Sequence, residues 1–125
     1  MAQDLLKKDI DLVRDDIFFS KGLKLIDFRR QIGNARILKK LIIRPEALKN
    51  QIKIVVIPLT ENLYRKLPKS DPDKEKTRLF SILSLQISLL EIMLVEINDS
   101  AKLKKIIGEY EESLDYEQAL VESVF

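Results

Sequence analysis

The chain of 125 residues has no cysteine, no histidine and no tryptophan, and only three glycines. Without cysteine there are no disulfides and no thiolate metal sites, a composition that suits an intracellular, cytoplasmic protein. Without histidine the chain lacks the commonest metal ligand and the usual general base near neutral pH. Gly22, Gly33 and Gly108 stand apart, so no glycine-rich loop is present to cradle a phosphate. Asp71, Asp73 and Glu75 open like a calcium loop, but Lys76 stands where the turn glycine belongs and Ile82 where the bidentate Glu belongs. The expectation is therefore a protein with no catalytic residues, no metal and no cofactor. No apolar leader is visible either, since Met1-Ala2-Gln3-Asp4 runs into a charged, amphipathic segment.

What is present is a balance of 46% apolar and 34% charged residues, which suits one compact domain over 1–125. Leu6, Ile10, Val13 and Ile17 fall on one face of a helix over 4–19, and Gly22 is placed to stop it. A second helix is expected over 23–32. Gly33-Asn34 should separate it from a third, with the apolar seam Ile37, Leu38, Leu41 and Ile42, the alternative being one uninterrupted helix over 23–44.

The segment from Pro45 to Ile57 sets spacing against propensity. Pro45 is a favourable first helical residue, and Leu48, Ile52, Val55 and Val56 recur at helical intervals. Yet five of the six residues from Ile52 to Ile57 are β-branched, which favours a strand. A strand at 52–57 followed by two helices resembles the element order of ribbon-helix-helix repressors, but Lys53 alone could read a base edge, so the helix is the better reading. Pro58 should end it, Thr60 should cap a short helix over Glu61 to Leu67, and Pro68 should close that one.

Asp71 as N-cap and Pro72 at the first position mark the start of a long helix over about 72–97. Twelve of the seventeen residues from Leu79 to Val95 are apolar, so the helix must be covered on most of its sides. Ser81, Ser84, Ser88 and Glu91 make a narrow polar strip that suits either a solvated face or a close helix-helix contact, the solvated face being the better reading. With Gln86 and Glu91 inside it, the run is not expected to span a membrane. Asp99 or Ser100 caps a last helix with the stripe Leu103, Ile106, Ile107, Tyr110 and Leu114, and the final ten residues are expected to fray. The fold class is thus all-α, a compact bundle of five or six helices around the helix at 72–97, with an α+β fold as the alternative.

Charge suggests partners. Residues 21–69 carry thirteen Lys or Arg against three acids, whereas residues 106–125 carry six acids and no base. In the last helix Lys102, Lys104 and Lys105 crowd the positive end of the dipole, and Glu111, Glu112 and Asp115 lie toward the negative end. A second copy laid antiparallel would reverse that penalty. The expectation is a non-catalytic interaction or assembly protein that self-associates through Leu103, Ile106, Ile107, Tyr110 and Leu114, flanked by Lys102, Lys105, Glu111 and Asp115. The alternative is a nucleic-acid-binding regulator that holds phosphates with Arg29, Arg30, Arg36, Lys39, Lys40 and Arg44, its acidic tail competing for them.

Overall fold

The computed structural model describes residues 22–67 and 74–125, and the helix expected over 4–19, the start signals Asp71 and Pro72 and the calcium-like residues Asp71 and Asp73 lie outside them. Among the described residues there is no strand and there are four helices. These are α1 (Leu25–Arg36), a helix α2 built from Pro45–Asn50, Gln51–Val56 and Ile57–Lys66, then α3 (Lys74–Val95) and α4 (Ser100–Val124). Among the described residues the fold is all-α with four helices, because two boundaries expected within them do not exist.

The first missing boundary is Gly33-Asn34. The Asn34 side chain donates to Arg30 O at 2.8 Å, one turn back, and α1 continues through it to Arg36. A 3-10 turn at Leu38–Lys40 replaces the expected third helix. Its seam still partly docks: Leu38 is buried and Leu41 and Ile42 pack against the core.

The second missing boundary is Pro58. Residues Gln51–Val56 are π-helical, and Ile57 N–H donates to Ile52 O, five residues back. That wider turn absorbs a proline which in a regular helix would collide with the carbonyl four residues before it. Ile52 and Val56 are fully buried while Ile54 is 69% exposed, a pattern that only helical spacing gives, since in a strand all three would share one face. Thr60 therefore caps nothing; it sits inside α2 and its hydroxyl donates to Val56 O at 2.7 Å.

α3 buries Leu79, Leu83, Gln86, Leu90 and Met93, one face of the helix. Residues Thr77–Val95 are long and apolar enough, at mean hydropathy 1.7, to cross a membrane by length and composition, and a third of that window is buried in the fold. Asp99 caps α4 by accepting from Lys102 N–H at 3.1 Å. The far end of α4 does not fray: Val121 and Val124 are buried, and the Phe125 ring lies 5.7 Å from that of Phe28.

Two apolar clusters fix the arrangement. Phe28, Leu63, Leu67, Leu79, Leu83, Val121 and Val124 meet at one end. Ala35, Leu38, Leu48, Ile52, Leu90, Met93, Leu103 and Leu114 meet at the other. The start of α1 thus lies with the end of α2, the start of α3 and the end of α4, so the helices run alternately up and down.

Candidate interaction surface

Between the two apolar clusters buried polar residues from all four helices meet: Gln31 from α1, Thr60 from α2, Gln86 from α3 and Glu117 from α4. Gln31 Nε2 donates to Gln86 Oε1 at 2.9 Å and approaches Thr60 Oγ1 at 3.3 Å, and Gln86 Nε2 donates to Glu117 Oε1 at 2.7 Å. The remaining Gln31 oxygen lies 2.5 Å from Glu117 Oε2. Two acceptors at that distance need a proton between them. Rotating the Gln31 amide would let it donate to Glu117, but would set its oxygen against Gln86 Oε1 at 2.9 Å. A neutral Glu117 resolves both conflicts: its hydroxyl donates to Gln31, which donates to Gln86, which donates back to Glu117. Burial pushes the Glu117 carboxyl up to about 8, against the opposing pull of Gln86, Gln31 and Arg36. The layer has the geometry of a register key, because sliding any helix would strand a buried polar group.

The predicted basic residues divide. Arg36 donates to Glu111 Oε2 at 2.7 Å, Asp115 Oδ1 at 2.8 Å and Gln118 Oε1 at 3.1 Å. The Asp115 hydrogen bond and the neighbouring Glu111 charge raise its pKa further. Arg29 reaches Glu122 at 3.3 Å, and Arg30 lies 3.9 Å from Asp27. The basic middle therefore holds its own acidic tail through Arg29 and Arg36. Lys39, Lys40 and Arg44 are exposed and lie apart from that contact.

The stripe expected to bind a second copy is covered by the chain itself. Leu103, Ile107, Tyr110 and Leu114 are buried core residues, and Ile106 packs at their edge. Glu111 and Asp115, expected to face a partner's lysines, face Arg36 instead, while Lys102 lies 3.7 Å from Glu96 and Lys105 is exposed. The reversed charge of α4 does have a neighbour, but that neighbour is α1. Tyr110 Oη and Glu111 Oε1 are buried without a hydrogen-bond partner, and burial raises the Tyr110 pKa.

An uncovered row with large apolar side chains lies on α3, opposite its buried face. Ser81, Leu85, Ser88 and Ile92 follow one another at steps of four, three and four, the seam spacing of a coiled coil. All four are exposed, Leu85 by 52% and Ile92 by 45%. Ser81 and Ser88 donate to Thr77 O and Ser84 O of their own helix, at 3.2 and 3.3 Å, so their hydroxyls need nothing from a partner. The polar strip Ser81, Ser84, Ser88 and Glu91 is exposed along its whole length, as a solvated face would be, and Leu85 and Ile92 border it. Beside it a groove of about 430 Å³ is lined by Thr77, Arg78, Ser81, Ile82, Tyr116 and Leu120. Tyr116, 69% exposed, extends the surface onto α4.

Comparison with protein-family models, curated proteins and solved structures finds no match to this chain. Among the described residues there is no cluster of three or more acidic side chains that could hold a metal ion.

Proposed function

We propose that this is a non-catalytic helical protein that self-associates, with the outer face of α3 as an antiparallel two-fold seam. The observation that carries the reading is the alternation of Ser81, Leu85, Ser88 and Ile92 on the face opposite the core. In an antiparallel pair the two classes of seam position face each other, so Leu85 meets the partner's Ser88 and Ile92 the partner's Ser81. Every large side chain then finds a small one opposite, which lets the helices approach closely. The end of the seam that carries Ile92 comes to lie beside the partner's Tyr116 groove.

Charge favours the same direction. In a parallel pair Glu91 would lie against the partner's Glu96, twice over, whereas antiparallel pairing sets Glu91 beside the partner's Ser84. A two-fold contact of this kind is isologous and closes on itself, giving a dimer. Sedimentation equilibrium tests the reading. A wild-type mass of twice 14.5 kDa at tens of micromolar, falling to one chain in Leu85→Glu, is expected. A wild-type monomer, or a dimer that ignores the substitution, overturns it.

A further inference from the structure

The two ends of the bundle differ in charge and in what protrudes from them. Where α1 and α3 finish and α2 begins, Lys39, Lys40, Arg44, Lys49 and Lys53 are exposed, and no ion pair among the described residues engages them. Lys49 and Lys53 line a groove of about 360 Å³ with Pro45 and Glu46 on one side and Leu94, Ile97 and Asn98 of the α3 terminus on the other, which fixes them at this end. Of the acids here, Glu96 is turned to Lys102 and Asp99 caps α4. Glu46 and Glu91, the latter near the end of α3, remain to oppose five cations.

In the middle of this charge stands Ile43. It is 85% exposed, the highest of the large apolar side chains, at the turn between the 3-10 segment and α2. Leu41 and Ile42 beside it pack against the core and root the turn. Arg44 N–H donates to Leu41 O at 2.9 Å, closing the backbone so that Ile43 is held outward. Lys39, Lys40 and Arg44 lie within four residues of it.

A phosphate backbone would use these cations and leave Ile43 in water. An anionic bilayer uses both: headgroup charges take the lysines and arginine, and the acyl boundary takes the isoleucine. We propose that this end of the bundle docks on an anionic lipid surface, with Ile43 inserted beneath the headgroups and Lys39, Lys40, Arg44, Lys49 and Lys53 resting on them. One short wedge with a basic rim gives reversible docking, strong only where the leaflet is negatively charged. The surface is separate from the α3 seam.

The test is co-sedimentation of the full chain at physiological salt with two kinds of vesicle, phosphatidylcholine alone and phosphatidylcholine carrying about one part in three phosphatidylserine. Binding to the second and not the first is expected. Replacing Lys39, Lys40 and Arg44 together with Glu should weaken it by at least about a hundred-fold, at roughly five-fold per charge removed. Ile43→Ser should weaken vesicle binding several-fold and leave retention on a duplex oligonucleotide unchanged, with helicity by circular dichroism confirming that both variants fold. No binding to the anionic vesicles, equal binding to neutral ones, or vesicle binding indifferent to Ile43→Ser overturns the proposal. The last result combined with tight duplex binding would assign the end to nucleic acid instead.

Discussion

Gln31 and Glu117, 86 positions apart in the chain, meet oxygen to oxygen at 2.5 Å in the centre of the bundle, a contact that a proton on Glu117 completes. Their contact joins the first described helix to the last, and with Gln86 it closes a ring of three hydrogen bonds that only an uncharged Glu117 can complete. The ring lies inside a layer to which all four helices contribute. Stability and the protonation of one carboxyl are thereby coupled.

The direction of that coupling follows from the Glu117 pKa, about 8 in the fold against 4.5 in the unfolded chain. Between those values the folded state holds a proton that the unfolded state has released. The stabilisation from this group is complete below pH 4.5, declines as pH rises, and is lost above about pH 8, a change on the order of a few kcal/mol. Urea unfolding at pH 5, 7 and 9 should show the decline. Glu117→Gln keeps a donor and an acceptor in the same places and should flatten it, becoming more stable than wild type at pH 9.

Arg36 holds the outside of the same helix pair. It is the only side chain in the structure's described residues that bonds Glu111, Asp115 and Gln118 together. Arg36→Met should cost about 1–3 kcal/mol, because a partly buried Glu111 loses a charged donor. Asp115→Ala should cost under about 1 kcal/mol, since that carboxylate is 71% exposed and water takes its place beside Arg36, which keeps Glu111 and Gln118. Equal losses from the two substitutions would contradict the asymmetry.

The π-helical stretch of α2 is tested by burial. Ile52→Ala should destabilise by about 2–5 kcal/mol, while Ile54→Ala should stay within about 0.5 kcal/mol. Comparable losses at both positions would mean that they share a buried face, as in a strand. Val55, whose spacing placed it with the core, is only half-buried and should fall between them.

The parts of this fold legible in the sequence are those set by local chemistry. The Asp99 cap, the long apolar helix expected over about 72–97 and described from Lys74 to Val95, and the stripe from Leu103 to Leu114 all rest on interactions within a few residues. Pro58 and Gly33-Asn34 misled because the usual meaning of those residues is local too, whereas here the packing of Leu63 beyond Pro58 and Ala35 beyond Asn34 carries each helix through its breaker. The polar layer left only a faint trace: Gln86 interrupts Leu83 and Leu90, and Glu117 interrupts Leu114 and Val121, each at a helical core interval. Which of these partners which is a long-range fact that spacing does not contain. The stripe on α4 was correctly seen as needing cover, but composition could not say whether a second chain or the same one supplies it. On α3 the serine strip is exposed as its polarity implies, and spacing alone does not say whether water or another helix meets it.

Cross-linking in this cysteine-free chain tests the antiparallel seam most directly. Leu85→Cys and Ser88→Cys chains, prepared separately and mixed under mild oxidation, should form the mixed disulfide in preference to either like pair, because antiparallel packing sets position 85 against the partner's 88 within disulfide reach. Like pairs, 85 with 85 and 88 with 88, would mean that the helices run parallel; no linked species at tens of micromolar would mean that the face is not an interface between copies at all.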